Sequence, residues 1–228
     1  MSAAGGLSPA RLAVLLSGRG SNFLALAEAT RRGELPAEIV LVLSNEPEAP
    51  GLARARELGL PAVAVPHRGA GGREEHERRV LEELAHAKAE WIALAGYMRF
   101  LSPSFVAAYA RRIVNVHPSL LPAFPGLEAQ QQALDHGVRL SGCTVHLVDT
   151  GLDSGPIVEQ RSVPVLEGDH REDLASRILE QEHQAYVWGL RRLLEEPWHV
   201  EGRRLVFGPG GLGWRAQYQA KKKLETRG

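Results

Sequence analysis

The chain alternates short apolar runs with stretches of helical period. The runs are LAVLLS (12–17), EIVLVLS (38–44), PAVAV (61–65), EWIALAG (90–96) and RRIVNV (111–116). A strand with one wet face shows apolar and polar residues in turn. Unbroken apolarity predicts strands buried on both faces, as in a parallel sheet covered by helices. The intervening segments 22–32, 51–59, 72–88 and 104–110 predict helices. In the third, Val80, Leu81, Leu84 and Ala85 form one stripe at helical spacing. Strand–helix alternation of this kind makes βαβ units with right-handed crossovers.

After Val116 the pattern changes. HPSLLPAFPG (117–126) carries too much proline for regular structure. A helix is expected over 127–136, ending at Gly137. CTVHLVD (143–149) alternates like a half-exposed strand, and PIVEQRSVPV (156–165) reads as a second, antiparallel one. A long helix is expected across 171–195, bounded by Pro197, and a final edge strand over 203–207. The fold class is α/β: a Rossmann-like, mostly parallel sheet with helices on both faces, and antiparallel edge strands in its C-terminal part. Residues 1–10 read as a disordered tail and 11–207 as a single domain. Residues 208–228, with GPGGLG at 208–213 and KKK at 221–223, read as a flexible, solvated tail.

Composition narrows the function classes. At 228 residues the chain buries a sufficient core without disulfides or metals. Lys+Arg and Asp+Glu are both 27, so no global positive field draws nucleic acid. The single Cys143 excludes an intrachain disulfide and Cys-pair zinc sites, and reads as a small buried hydrophobe. No two of the nine histidines lie closer than nine positions, so no metal site is expected. No apolar run approaches the roughly 20 residues of a membrane helix, and the N-terminus lacks a basic leader region. A soluble, cytoplasmic protein is the expectation.

Two segments carry chemistry. SGRGSN, Ser17 to Asn22, follows the first strand and opens the first helix. Gly18 and Gly20 permit a tight turn, and the N–H groups of Gly20, Ser21 and Asn22 then form an anion site at a helix start. Phe23 stands where a dinucleotide loop needs a third glycine, and the second strand ends in Ser44-Asn45 rather than at an acidic residue. The loop therefore suits one phosphate, or is a glycine turn that caps a helix and binds nothing. In NVHPSLLP, Asn115 and His117 flank Val116 at a strand end, so both side chains point to one face. They offer an amide donor for a developing oxyanion and an imidazole that carries a proton. Asp153, in DTGLDSGPI, is a carboxylate that could orient that imidazole. No nucleophile elbow, and no Ser or Cys placed to act as one, stands beside the histidine, which favours direct transfer over a covalent intermediate. A lone histidine at a strand end is equally read as structural. His146, alternating with apolar residues on its strand, is a further candidate for the site face.

With these residues in view, the chain resembles the phosphoribosylglycinamide formyltransferases. The resemblance rests on SGRGSN (17–22), LAGYMRFLSP (94–103), NVHPSLLPAFPG (115–126), GCTVHLVDTGLDSGPIVEQ (142–160) and QEH (181–183), in that order. It implies an enzyme that transfers the formyl group of 10-formyltetrahydrofolate to the amine of glycinamide ribonucleotide in purine synthesis. It implies catalysis by Asn115, His117 and Asp153. Gly20, Ser21 and Asn22 would hold the nucleotide phosphate, and Glu182 its ribose. The folate would meet Arg73, Met98, Arg99, Phe100, Leu101, Asn115, Asp149, Thr150, Gly151, Leu152 and Asp153. The N-terminal half of 11–207 would bind the nucleotide phosphate, and the C-terminal half would bind folate and complete the site. The partners implied are these two small molecules, with no metal, nucleic acid or membrane, in a monomer or homodimer. Glu128 and Gln130 stand where some relatives place histidines, and the stretch 208–228 has no counterpart in the resemblance. A tRNA formyltransferase, a formyltetrahydrofolate deformylase and a non-catalytic folate or nucleotide sensor are the alternative readings.

Overall fold

The computed structural model describes residues 8–69 and 71–225. The elements follow one another as β1 (Ala10–Leu16), α1 (Ser21–Arg31), β2 (Ala37–Ser44), α2 (Pro50–Glu57), β3 (Ala62–Ala64), α3 (Arg73–His86), β4 (Trp91–Leu94) and α4 (Pro103–Ala108). There follow β5 (Ile113–His117), α5 (Ala129–Asp135), β6 (Leu140–Leu147), β7 (Ile157–Pro164), α6 (Arg171–Glu195), β8 (Trp198–Glu201), β9 (Arg204–Phe207) and α7 (Trp214–Glu225). One nine-stranded sheet runs in the order β3-β2-β1-β4-β5-β6-β7-β9-β8. From β3 to β5 every pairing is parallel; β6 then pairs antiparallel with both β5 and β7.

The apolar runs of β1, β2, β4 and β5 are strands buried on both faces, as their composition predicts, while the short edge strand β3 is half-buried. Along β1, Leu12, Val14 and Leu16 face a layer holding Phe23 and Leu26 of α1, Leu52 of α2, and Ile178, Tyr186 and Leu190 of α6. Ala13 and Leu15 face the opposite layer, with Val80 and Leu84 of α3 and Phe105 of α4. Helix α6 lies across β6 and β7 and against α1. Its Tyr186 hydroxyl reaches the carbonyls of Leu94 and Val114, 3.0 and 2.9 Å away.

Three expectations change. The strand at 143–149 is not half-exposed: Ser141 to Leu147 of β6 are all buried. Thr144 and His146 face hydrogen-bonding partners rather than water. The strand expected at the sheet edge, β9, lies between β7 and β8, and β8 is the edge. The flexible tail expected from 208 contains helix α7, whose Trp214 is buried edge-on against Trp91, ring centroids 5.9 Å apart. Of the expected N-terminal tail, residues 1–7 lie outside the described residues, and Ala10 already belongs to β1.

Candidate active site

In a parallel sheet the segments leaving the carboxyl ends of neighbouring strands come together. Strands β1, β4 and β5 are such neighbours, with Leu15 paired to Leu94 and Leu94 to Asn115. The loop from Ser17, the strap 96–102 and the Asn115–His117 segment therefore leave one edge of the fold side by side.

The loop after β1 turns at Gly20, the N-cap of α1, with φ 74°. A side chain here would be strained, and its Cβ would lie 3.2 Å from both the Gly51 Cα and the Leu16 side chain. Gly51 donates its N–H to the Gly18 carbonyl at 3.1 Å, which seats α2 against the loop. No side chain caps α1 and no acidic residue stands in its first turn, so the positive helix start is not offset by a side-chain charge of its own first turn. In that first turn, Asn22 donates to the Glu182 carboxylate at 2.7 Å across the α1–α6 contact, both residues buried. Burial pushes the Glu182 carboxyl up, and the Asn22 hydrogen bond partly opposes that. The side-chain oxygen of Asn22 is buried without a protein partner among the described residues.

The histidine end of β5 is held from β6. Thr144, opposite His117, donates to the Ser119 carbonyl at 2.7 Å and accepts the Leu121 N–H at 3.0 Å and the Gln160 amide at 2.9 Å. These bonds fold the proline-rich segment back, so that the His117 Nε2 meets the Phe124 carbonyl at 2.8 Å. The loop after β6 curls back through an Asx turn: the Asp149 carboxylate accepts the Gly151 N–H at 3.1 Å and the Ser154 hydroxyl at 2.8 Å. Asp153, at φ 45°, is thereby turned toward the β5 end. Its Oδ2 accepts the Gly126 N–H at 2.9 Å and stands 3.4 Å from the His117 Nδ1. Its Oδ1 stands 3.7 Å from the His146 Nε2. One carboxylate thus faces two imidazoles.

His146 pairs with Asn115 across the β5–β6 ladder, and their side chains touch, Nδ2 to Nε2, at 3.2 Å. The His146 Nδ1 lies 3.1 Å from the Leu147 carbonyl. Burial holds His146 below the ordinary imidazole range, against the opposing pull of Asp153. A neutral ring with its proton on Nδ1 donates to Leu147 and accepts from Asn115 at Nε2. The Asn115 carboxamide is so oriented, with one N–H engaged and the second free to point at a ligand. Sequence reasoning left His146 as a bare candidate; its place opposite Asn115 depends on register, which polarity alone does not reveal.

The strap 96–102 carries Met98, Arg99, Phe100 and Leu101. It is pinned at both ends and open between. The Met98 N–H donates to the Ser17 hydroxyl at 2.8 Å, and the Tyr97 hydroxyl meets the His76 Nε2 at 3.0 Å. At the far end Glu77 accepts the Ser102 N–H at 2.8 Å and its hydroxyl as well. Arg73 joins the same carboxylate at 3.2 Å. Between these pins the backbone N–H and C=O groups of Arg99, Phe100 and Leu101 make no hydrogen bond among the described residues. The Met98 and Phe100 side chains are 66% and 69% exposed. Leu152, half exposed, comes up against Gly126 from the Asp149–Asp153 loop. Thr150 is exposed on that loop. Glu128 is exposed and ion-paired with Arg171 at 2.9 Å. Ser17 and Glu77 are the anchors that sequence reasoning missed.

An amide donor, two imidazoles and a shared carboxylate at the end of an open strand, beside an anion loop, suit acyl-type group transfer. The chain belongs to the formyl transferase family, which matches residues 10–190. Within it, the chain is 38% identical over 192 residues to the phosphoribosylglycinamide formyltransferase of Escherichia coli K12, covering 84% of this chain and 88% of that one. It is 45% identical over 186 residues to the trifunctional purine biosynthetic protein adenosine-3 of Drosophila melanogaster, and spans 14% of that much longer protein. The crystal structure of glycinamide ribonucleotide transformylase 1 from Symbiobacterium toebii superposes with a TM-score of 0.87 at 42% identity, covering 91% of this chain and all of that one.

Proposed function

We propose that this chain transfers the formyl group of 10-formyltetrahydrofolate to the amine of N1-(5-phospho-D-ribosyl)glycinamide, a step of purine biosynthesis. The observation that carries the reading is the junction of Asn115, His146, Asp153 and His117 at the end of β5. The nucleotide amine attacks the formyl carbon, and the carbonyl electron pair moves onto oxygen. Asn115, through its second N–H, and His117, through the Nδ1 proton that remains once Nε2 is held on the Phe124 carbonyl, donate to that oxyanion. Asp153 orients His117. The tetrahedral intermediate then collapses: the C–N bond to the folate breaks, the folate nitrogen takes a proton, and the attacking nitrogen loses one, relayed through water. Gly20, Ser21 and Asn22 hold the phosphate, and Glu182 accepts from the ribose hydroxyls. The folate ring lies along the open backbone of 99–101, flanked by Arg73, Met98 and the loop Asp149–Asp153. The free N–H and C=O groups of that strap support this, since a pteridine presents matching donors and acceptors.

Among the described residues no helix is long and apolar enough to cross a membrane. We place the reaction in the cytoplasm, in a monomer or homodimer.

The test follows tetrahydrofolate-type absorbance with both substrates present. Signal only when the nucleotide is added is the expected result; formate release without it would make the chain a deformylase. His117→Ala should lower kcat by about 10²–10⁴-fold with the nucleotide KM little changed. A loss under tenfold removes His117 from the mechanism.

A further inference from the structure

Ser17 belongs to two substrate segments at once. Its backbone opens the anion loop, and its own N–H is fixed on the Gly96 carbonyl at 3.0 Å. Its hydroxyl accepts the Met98 N–H at 2.8 Å and donates to the Asn45 side-chain oxygen at 2.5 Å. Asn45 is buried just past β2. Its amide nitrogen reaches the His67 Nδ1 at 3.2 Å and the Glu46 carboxylate at 3.4 Å. The Glu46 carboxylate can only accept, so it takes the Asn45 amide nitrogen and turns the Asn45 oxygen to Ser17. The Ser17 proton is committed to that oxygen, and the Ser17 lone pair is left for Met98.

The position of Met98, and with it the open backbone of 99–101, is therefore set by a residue three positions before Gly20. At its other end the strap is held by Glu77, on a different helix, which has no part in the anion loop. Among the described residues, the hydrogen bonds that join the loop 17–22 to the strap run through Ser17.

We propose that Ser17 is a positioning residue that makes the binding of the two substrates interdependent. Nucleotide bound at Gly20–Asn22 holds Ser17, and Ser17 holds the strap in the conformation the folate needs. By linkage, folate on the strap tightens the nucleotide by the same factor. This rests on the formyl-transfer reading above. A hydroxyl alone satisfies both roles, since alanine neither accepts from Met98 nor donates to Asn45.

The experiment titrates tetrahydrofolate, which carries no formyl group to lose, against the full chain with and without saturating glycinamide ribonucleotide. The wild-type chain should bind tetrahydrofolate about fivefold or more tightly when the nucleotide is present. In Ser17→Ala that ratio should fall to near one, with tetrahydrofolate alone bound more weakly. Ser17→Thr keeps the hydroxyl and should restore the ratio, which a purely structural role for the residue would not require. Thermal unfolding of each variant reports whether the fold is intact. A wild-type ratio of one, or an equal ratio in Ser17→Ala, overturns the link while leaving the reaction standing. A wild-type chain that binds neither molecule overturns the reaction and the link together.

Discussion

A buried histidine beside a carboxylate is usually expected to be charged, and His146 is the opposite case. Desolvation outweighs the attraction of Asp153, because the ring is 2% exposed and Asp153 stands 3.7 Å away, beyond hydrogen-bonding distance. The unfolded chain takes up a proton at this residue near pH 6.5, whereas the folded chain takes it up only at lower pH. Between those two values the unfolded state binds more protons, so stability falls as pH falls below about 6.5. Above that value His146 contributes no pH dependence. Urea midpoints at pH 7.5 and 5.5 should therefore differ more in the wild-type chain than in His146→Gln. An equal difference in both would show that the ring is protonated in the fold. The neutral ring also has a functional consequence: a charged His146 could not accept from Asn115, and the amide we propose for the oxyanion would lose its orientation.

The loop between β6 and β7 decides whether the carboxylate reaches the histidines. Gly155 closes it, and a Cβ there would lie 1.8 Å from the Leu147 carbonyl oxygen and 2.9 Å from its carbon. Those are backbone atoms of a buried strand, so the loop must move instead. Gly155→Ala should cost about 1–3 kcal/mol in urea unfolding. It should also cut kcat on the order of 10²-fold, because Asp153 rides two residues earlier on the same loop. An unchanged kcat with reduced stability would separate the loop from the chemistry. The two strands flanking this loop mark the limit of sequence reading. The apolar runs that became β1, β2 and β4 announced themselves because burial on both faces leaves few polar residues in them. In β6, Thr144 and His146 looked like a wet face. Their water-like partners are Ser119, Leu121, Gln160 and Asn115, supplied by segments far away in sequence. Likewise, the spacing of His117 and Asp153 said nothing of their meeting; only the family motif did.

At the scale of the molecule, the C-terminal elements were the least legible. WHVE (198–201) is too short to show a period, and GPGGLG before Trp214 reads as a break rather than as the approach to a helix. What holds them is aromatic packing. Trp198 is 1% exposed with its ring N–H on the Leu193 carbonyl at 3.0 Å, and Trp214 closes on Trp91. Trp214→Ala should lower unfolding stability by about 3 kcal/mol, while kcat stays within a few-fold, since the site lies at the carboxyl ends of the strands. A loss below 1 kcal/mol would show that α7 rests on the surface without supporting the core. The longest tie in the site is the Asn22–Glu182 hydrogen bond, between residues 160 positions apart. Ribosomes add roughly 5–20 residues per second. The anion loop is therefore made about 8–30 s before the helix that completes its pocket has left the peptidyl-transferase centre, and throughout that interval the apolar layer of β1 lacks the cover of α6. For a nascent chain, this is the window in which a chaperone would find it.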